Sequence, residues 1–412
     1  MFHHTLPGGR HLVTDAAGLP LPAAPERWDG ELVWLYHRDG GGRTAFRPSD
    51  PRQVTAPAES VAFLDPARLP AADVPAELAR AVAEGRVTAV NGAHDRWQEA
   101  LAFLLPEKKR RRLHILAVGD VGGTLLTGLK LMGGDCLHTI GICDLNPATV
   151  ARYTAEMSQV SPPWDYNAFP DVVPVDMEHL FACDVFLFAA TRAIPAVGSD
   201  VKDVRMAQFD ANRDIVAHYA RMARAADFRG LFLVMSDPVD PLCKAAWLAS
   251  NTDENGSFDG RGLLAEQVQG LGLGVMNARA AALAKTNPAY AAFLTEGRSF
   301  GPHGGDLVIA DSIANYNDEA SRALTKEVVE ANLRIREIGF KPYIAPALSS
   351  GAIQVLLLLR GQWHCGSVCL GSVWFGCRNR YTAMGLETEA LALPDALFDR
   401  LAVTERNLTA II

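Results

Sequence analysis

The sequence predicts an α/β chain in which a parallel sheet with crossover helices is followed by an α+β domain and preceded by a small α+β appendage. Three observations carry this prediction. From residue 113, short apolar runs alternate with helix-length segments, and strands alternating with helices build a parallel sheet. After about residue 245 that alternation gives way to a mixed pattern. Before residue 113 the chain is rich in Pro, Ala and Gly and carries only short strand-like pieces. The length of 412 residues suits two domains or more, and 49% hydrophobic with 21% charged residues supports a large core and excludes global disorder.

The expected order of elements follows from local patterns. In the appendage, residues 1–112, "RHLVT", "ELVWLY" and "VAFL" read as strands, and about 74–84 and 93–105 read as helices. Its histidines have no ligand spacing. The basic run "KKRRR" at 108–112 reads as a solvated linker. "LHILAVGDVGGTLLTGLKLM" is then an apolar strand, a glycine-rich turn and a helix. "HTIGICDLNP", "DVFLFAAT" (184–191) and "GLFLVMSDP" (230–238) are further strands, with a helix over 204–226 between the last two. We expect a dinucleotide-binding domain over 113–245. A second domain over 246–412 is expected to hold helices near 278–285 and 317–337, with strands near 306–310 and 366–375.

Composition narrows the function. A net charge of −8 argues against a nucleic-acid binder, whose footprint is usually basic. No leader pattern and no apolar stretch of about 18 residues is visible. Seven scattered cysteines read as reduced thiols, so the expected place is the cytoplasm. "HCGSVC" (364–369) with Cys377 matches no common zinc spacing and alternates like a strand, so no metal is expected.

The first strand–helix turn, Ala117-Val118-Gly119-Asp120-Val121-Gly122, is a dinucleotide fingerprint with alanine at its first glycine. Gly119 lets the backbone approach a pyrophosphate and Gly122 allows close helix–strand packing, while Asp120 and Val121 open a helix whose N–H groups face the anion. Asp144 ends the next strand, where a carboxylate accepts ribose hydroxyls and repels a 2′-phosphate. These positions predict a Rossmann-type domain that uses NAD in preference to NADP. Downstream, "GPHGGD" (301–306) holds one histidine among glycines, either a turn residue or a proton-transfer group beside a ligand.

Residues 113 to about 405 resemble the lactate/malate dehydrogenase family. The ordered motifs are the fingerprint with Asp144, "RMAQFDAN" (205–212), "SDPVD" (236–240), "NAR" (277–279), "GPHGGD", "SSGAI" (349–353) and the closing segment "GLETEALALPDALFDRLAVTERNL". The resemblance implies a hydride transfer between NAD(H) and a 2-hydroxy/2-keto acid. By it, Arg279 would fork the substrate carboxylate, Arg205 would polarise the carbonyl and His303 would exchange the proton. Arg192 would stand at the start of a mobile loop, and Asn212 and Ser349 would line the substrate. A homodimer or homotetramer is implied, with a small-molecule substrate and neither nucleic acid nor membrane as partner. The Ala-, Arg- and Gly-rich composition hints at a GC-rich bacterial genome.

The chain departs from that pattern in three places. Met276 stands where the family has the aspartate that pairs with its histidine, and Asp237 stands where the family has asparagine. Either Asp237 supplies the missing partner, or the substrate is less anionic or bears an amine so that an imine or amino ketone is reduced, or catalysis has lapsed. The loop "AIPAVGSDVKDV" is longer than the resemblance implies, and either Ile194 or Asp200 could discriminate substrates, with Lys202 also available. Two rivals stay open. One is a non-catalytic or weakly catalytic NAD-binding paralogue acting through a partner protein, and the other is an NAD-dependent glycosidase, for which Cys243 lacks an evident metal-binding partner.

Overall fold

The computed structural model describes residues 1–102, 110–192 and 204–412. The appendage folds around a sheet of five strands, β1 (Phe2–Thr5), β2 (His11–Thr14), β3 (Leu32–Tyr36), β4 (Ala45–Phe46) and β5 (Val87–Asn91). Their order is β1-β2-β3-β5-β4. The three central strands are parallel to one another. They are fully buried, which is why they read as apolar runs without alternation. "VAFL" is not a strand. Val61–Leu64 forms a 3-10 turn, because the Ser60 hydroxyl accepts the Ala62 N–H at 3.2 Å and closes the backbone locally.

The larger sheet starts earlier than the linker reading allows. β6 runs over Arg111–Leu116, followed by β7 (Leu137–Cys143), β8 (Asp171–Pro174), β9 (Val185–Phe188), β10 (Leu231–Val234) and β11 (Val268–Gly270). Arg111 of the basic run is therefore a strand residue, only 3% exposed, and it donates to the Leu359 carbonyl at 3.3 Å. These six strands are all parallel. Their order is β8-β7-β6-β9-β10-β11, two three-stranded halves meeting at β6 and β9, the doubly wound arrangement. The sixth strand lies beyond residue 245, so the parallel sheet outruns the boundary expected there.

A two-stranded ribbon follows, β12 (Arg298–Phe300) with β13 (Val308–Ala310). The sheet then grows antiparallel through β14 (His364–Leu370), β15 (Val373–Thr382) and β16 (Gly385–Thr388), giving nine strands. The result is a Rossmann-type sheet followed by an α+β substrate region and preceded by the appendage.

The appendage is fastened to this extension. The Arg47 N–H donates to the Leu386 carbonyl at 3.0 Å. Glu266, just before β11, accepts the N–H groups of Thr44 and Ala45 at 3.1 and 2.9 Å. Buried Glu59 pairs with both Arg38 and Arg43. One continuous apolar core spans appendage and sheet.

Candidate active site

The fingerprint turn shows why its glycines stand where they do. The Ala117 N–H donates to the Cys143 carbonyl at 2.8 Å. Ala117 itself sits at φ 72°, a left-handed conformation that glycine tolerates best. Its carbonyl lies only 2.0 Å from where a Cβ on Gly122 would stand, so no side chain fits there. A Cβ on Gly119, in contrast, would meet nothing within 4 Å. The helix Asp120–Met132 begins at that open position. Asp120 is exposed and pairs with Lys341 at 3.2 Å, while Val121 packs on the core. Asp144 accepts the Val118 N–H and the Asn146 N–H, one on each oxygen, both at 2.9 Å. Each oxygen keeps a further lone pair for a hydroxyl donor. Open space at Gly119, an anion-attracting helix start and a carboxylate on the neighbouring strand fit the pyrophosphate and ribose of a dinucleotide.

The carboxyl ends of β9 and β10 are tied together beside that cradle. The Ser236 hydroxyl donates to the Ala190 carbonyl at 2.6 Å. Buried Asn212 donates to the Asp237 carbonyl at 2.8 Å and accepts the Arg192 N–H at 2.9 Å. The Arg192 side chain is exposed. The peptide between Asp237 and Pro238 is cis.

His303 is brought to this point by glycines. Gly301 and Gly304 have φ of 80° and 130°, so two left-handed residues bracket the histidine. The Gly301 N–H donates to the Gly376 carbonyl at 2.8 Å, and a Cβ on Gly376 would stand 2.1 Å from the Gly301 carbonyl oxygen. On the other side, a Cβ on Gly272 would lie 2.9 Å from the His303 Cβ. The loop's far end is held by Thr404, whose hydroxyl donates to the Asp306 carbonyl at 2.9 Å, and by Asn407, which donates to the Asp306 carboxylate at 2.8 Å.

So placed, His303 Nδ1 lies 2.9 Å from Asp237 Oδ1. Burial alone would lower the imidazole pKa, but the charge and hydrogen bond of Asp237 outweigh it, and the net shift is upward. Met276, by contrast, is buried and touches Arg279, its sulfur 3.6 Å from Nη1.

Arg279 projects from the helix Leu273–Thr286. Its other contact is the Val328 carbonyl at 3.3 Å. Burial pushes its pKa down, partly offset by the charge of Asp237. No carboxylate among the described residues pairs with it directly, so most of its five donors are left for a ligand. Ser349 uses its carbonyl to accept Gln354 Nε2 at 2.7 Å. The neighbouring Ser350, which the sequence reading did not single out, is fully engaged. Its hydroxyl accepts the Val275 N–H at 2.8 Å and donates to the Gly272 carbonyl at 2.7 Å, capping the Arg279 helix. Asp240 was also missed. It is buried and accepts the Ser367 hydroxyl at 2.6 Å. Only its place in "SDPVD" could have signalled it.

The backbone of Arg205 lies in the helix Val204–Ala225, but its side chain falls outside the described residues, as do Ile194, Asp200 and Lys202. Among the described residues no cluster of His, Cys, Asp or Glu could hold a metal ion. Burial pushes the thiol of Cys365 up to about 11.

No family model and no curated protein matches the chain by sequence. Solved structures do match. The minor L-lactate dehydrogenase of Enterococcus mundtii superposes with a TM-score of 0.58 at 18% identity, over 74% of this chain and 98% of that one. The chain has the lactate/malate dehydrogenase fold. The malate dehydrogenase of Archaeoglobus fulgidus, solved with NADH, gives a TM-score of 0.57 at 17% identity over 73% of this chain and 98% of that one. The apo malate dehydrogenase of Picrophilus torridus gives 0.57 and 17% over 73% and 96%. These dehydrogenases are matched almost end to end while about a quarter of this chain stays outside, consistent with an extra N-terminal region on the fold.

Proposed function

We propose that the protein is an NAD-dependent oxidoreductase that transfers a hydride between NAD(H) and a 2-hydroxy/2-keto acid or a related carbonyl or imine. The observation that carries this reading is the His303–Asp237 hydrogen bond at the carboxyl ends of the strands, next to the fingerprint turn. Ligands of open α/β sheets bind in that crevice.

In this reading Gly119, Asp120, Val121 and Gly122 hold the cofactor's pyrophosphate and Asp144 its ribose. Bound nicotinamide supplies the hydride on reduction and takes it on oxidation. Arg279 forks the substrate carboxylate, which its sparse protein contacts and desolvation favour. Arg205 polarises the carbonyl. His303 passes a proton from Nε2 to the reacting oxygen, and Asp237 fixes the ring and stabilises its charged form. Asn212 and Arg192 join the strand ends, and with Ser349 they line the substrate. The Asp237 bond supports turnover over the lapsed paralogue, because a lapsed site would leave His303 without a partner once position 276 became methionine.

The exposed apolar side chains Ile338, Phe340 and Ile344 support a homo-oligomer. No helix among the described residues is long and apolar enough to cross a membrane.

The test is NADH binding by calorimetry, followed in the same sample by a panel of 2-keto acids, amino ketones and cyclic imines watched for NADH loss. Binding with turnover is expected. Binding without turnover on any carbonyl or imine of the panel sinks the catalytic reading, and no binding sinks the cofactor reading too.

A further inference from the structure

Asp237 does not sit where a partner that only steadies a histidine would sit. Its side chain is 44% exposed while that of His303 is 18% exposed, so the carboxylate lies on the open side of the imidazole. One oxygen, Oδ1, is taken by His303. The second has no partner among the described residues. No arginine or lysine among them pairs with Asp237 either. Arg279 acts on it only from a distance, and its Nη1 is turned to Met276 and Val328.

The geometry limits how far this free oxygen stands from the chemistry. The two imidazole nitrogens are about 2 Å apart and a hydrogen bond adds about 3 Å on each side. The reacting oxygen at Nε2 therefore stands no more than about 8 Å from Asp237. That distance puts the remaining chain of a substrate whose carboxylate is on Arg279 and whose carbonyl is at His303 within reach of the Asp237 carboxylate. An anionic chain would be repelled there, and a neutral one would offer no donor to the second oxygen, whose fellow is already paired with His303.

Resting on the reading that the protein is a 2-keto acid dehydrogenase, we infer that Asp237 Oδ2 is a specificity determinant that selects substrates carrying a cationic nitrogen a few bonds from the carbonyl carbon. The same carboxylate thus orients the proton donor and recognises the substrate's distal end. The reaction stays balanced. Hydride from NADH goes to the carbonyl carbon, the proton on His303 goes to its oxygen, and the nitrogen keeps its protons.

The test compares three substrates, 2-oxopentanoate, its 5-amino derivative (in equilibrium with the cyclic imine) and 2-oxoglutarate. kcat/KM is measured for the wild type, for Asp237→Asn, and for Asp237→Asn combined with Met276→Asp. The double variant returns a carboxylate to the helix position from which the resembling family serves its histidine. A charge-assisted hydrogen bond in a half-exposed site supports a preference of about ten- to a hundredfold. The wild type should prefer the amino substrate by about that factor, and 2-oxoglutarate should be its poorest. The double variant should regain turnover lost in Asp237→Asn while the preference disappears. Its pH profile should again show a raised histidine limb, which a merely structural role for Asp237 would not require.

A wild type that turns over all three substrates without preferring the amino compound overturns the inference and leaves the dehydrogenase reading intact. No turnover on any of them overturns both. Calorimetry of the matching 2-hydroxy acids with the NADH-bound wild type decides the ranking independently, so a double variant that fails to fold does not shelter the claim. Equal affinities for the amino and neutral compounds would refute it.

Discussion

Glu266 offers a quantitative test of how the appendage is joined to the sheet. Its carboxylate is 1% exposed. Burial raises its pKa from 4.5 to about 7, against the lowering effect of the backbone N–H groups it accepts and of Arg43. The folded state therefore holds this proton more tightly than the unfolded chain. For a carboxyl group shifted upward, the cost of folding is present above the folded pKa and is relieved as pH falls toward the unfolded value. Between about pH 8.5 and pH 5 the relief is roughly 2–3 kcal/mol. Glu266→Gln cannot ionise. It also loses an acceptor for one of the two N–H groups, a pH-independent cost of about 1–3 kcal/mol. Denaturant midpoints of wild type and variant across that range measure the effect, and their difference cancels every other titrating group. The wild type should gain on the variant by the stated amount on acidification. Parallel curves would refute the reasoning and mean that Glu266 is solvated or already protonated.

Three further outcomes follow from the site. Gly122→Ala puts a Cβ 2.0 Å from the Ala117 carbonyl oxygen, so it should abolish NADH binding in calorimetry while the circular dichroism of the fold is kept. Because the His303 pKa is raised, kcat/KM for reduction should fall as pH rises through that value and kcat/KM for oxidation should rise. The stability given by the pair is full below about 6.5 and is lost through the same rise. Asp237→Asn should move both kinetic limbs to lower pH. Ser350→Ala leaves the Val275 N–H unpaired at the start of the Arg279 helix. It should cost about 1–3 kcal/mol in denaturation and raise KM, with NADH affinity unchanged.

The sequence revealed what depends on neighbours in the chain. The fingerprint turn, the helix after it and Asp144 at the next strand end are all local patterns, and they stand as expected in the fold. What it hid depends on distant pairing. β14–β16 extend the sheet because Ser367 meets Gly270, a contact across nearly a hundred residues with no local mark. The appendage sheet was half legible because its buried parallel strands lack alternation. "VAFL" was misread because one serine hydroxyl outweighed its strand propensity, and "KKRRR" because its charge hid a buried strand start. At the site, the exchange of Met276 and Asp237 was visible, but that Asp237 reaches His303 depends on the approach of two chain segments 66 residues apart, which carries no local mark. Ser350 was passed over for Ser349, since nothing local says which serine faces the helix end.

The loop that carries His303 is held by later parts of the chain. Its conformation is held by Gly376, 75 residues further on, and by Thr404, 98 residues beyond Asp306. Contacts of such separation form only after the intervening chain has condensed. A chain growing from its N-terminus can therefore close the dinucleotide cradle while its histidine is still unset. If the proposed function holds, cofactor binding should precede catalytic competence during synthesis, with the helix Asp395–Thr409 as the last fastening of the histidine loop.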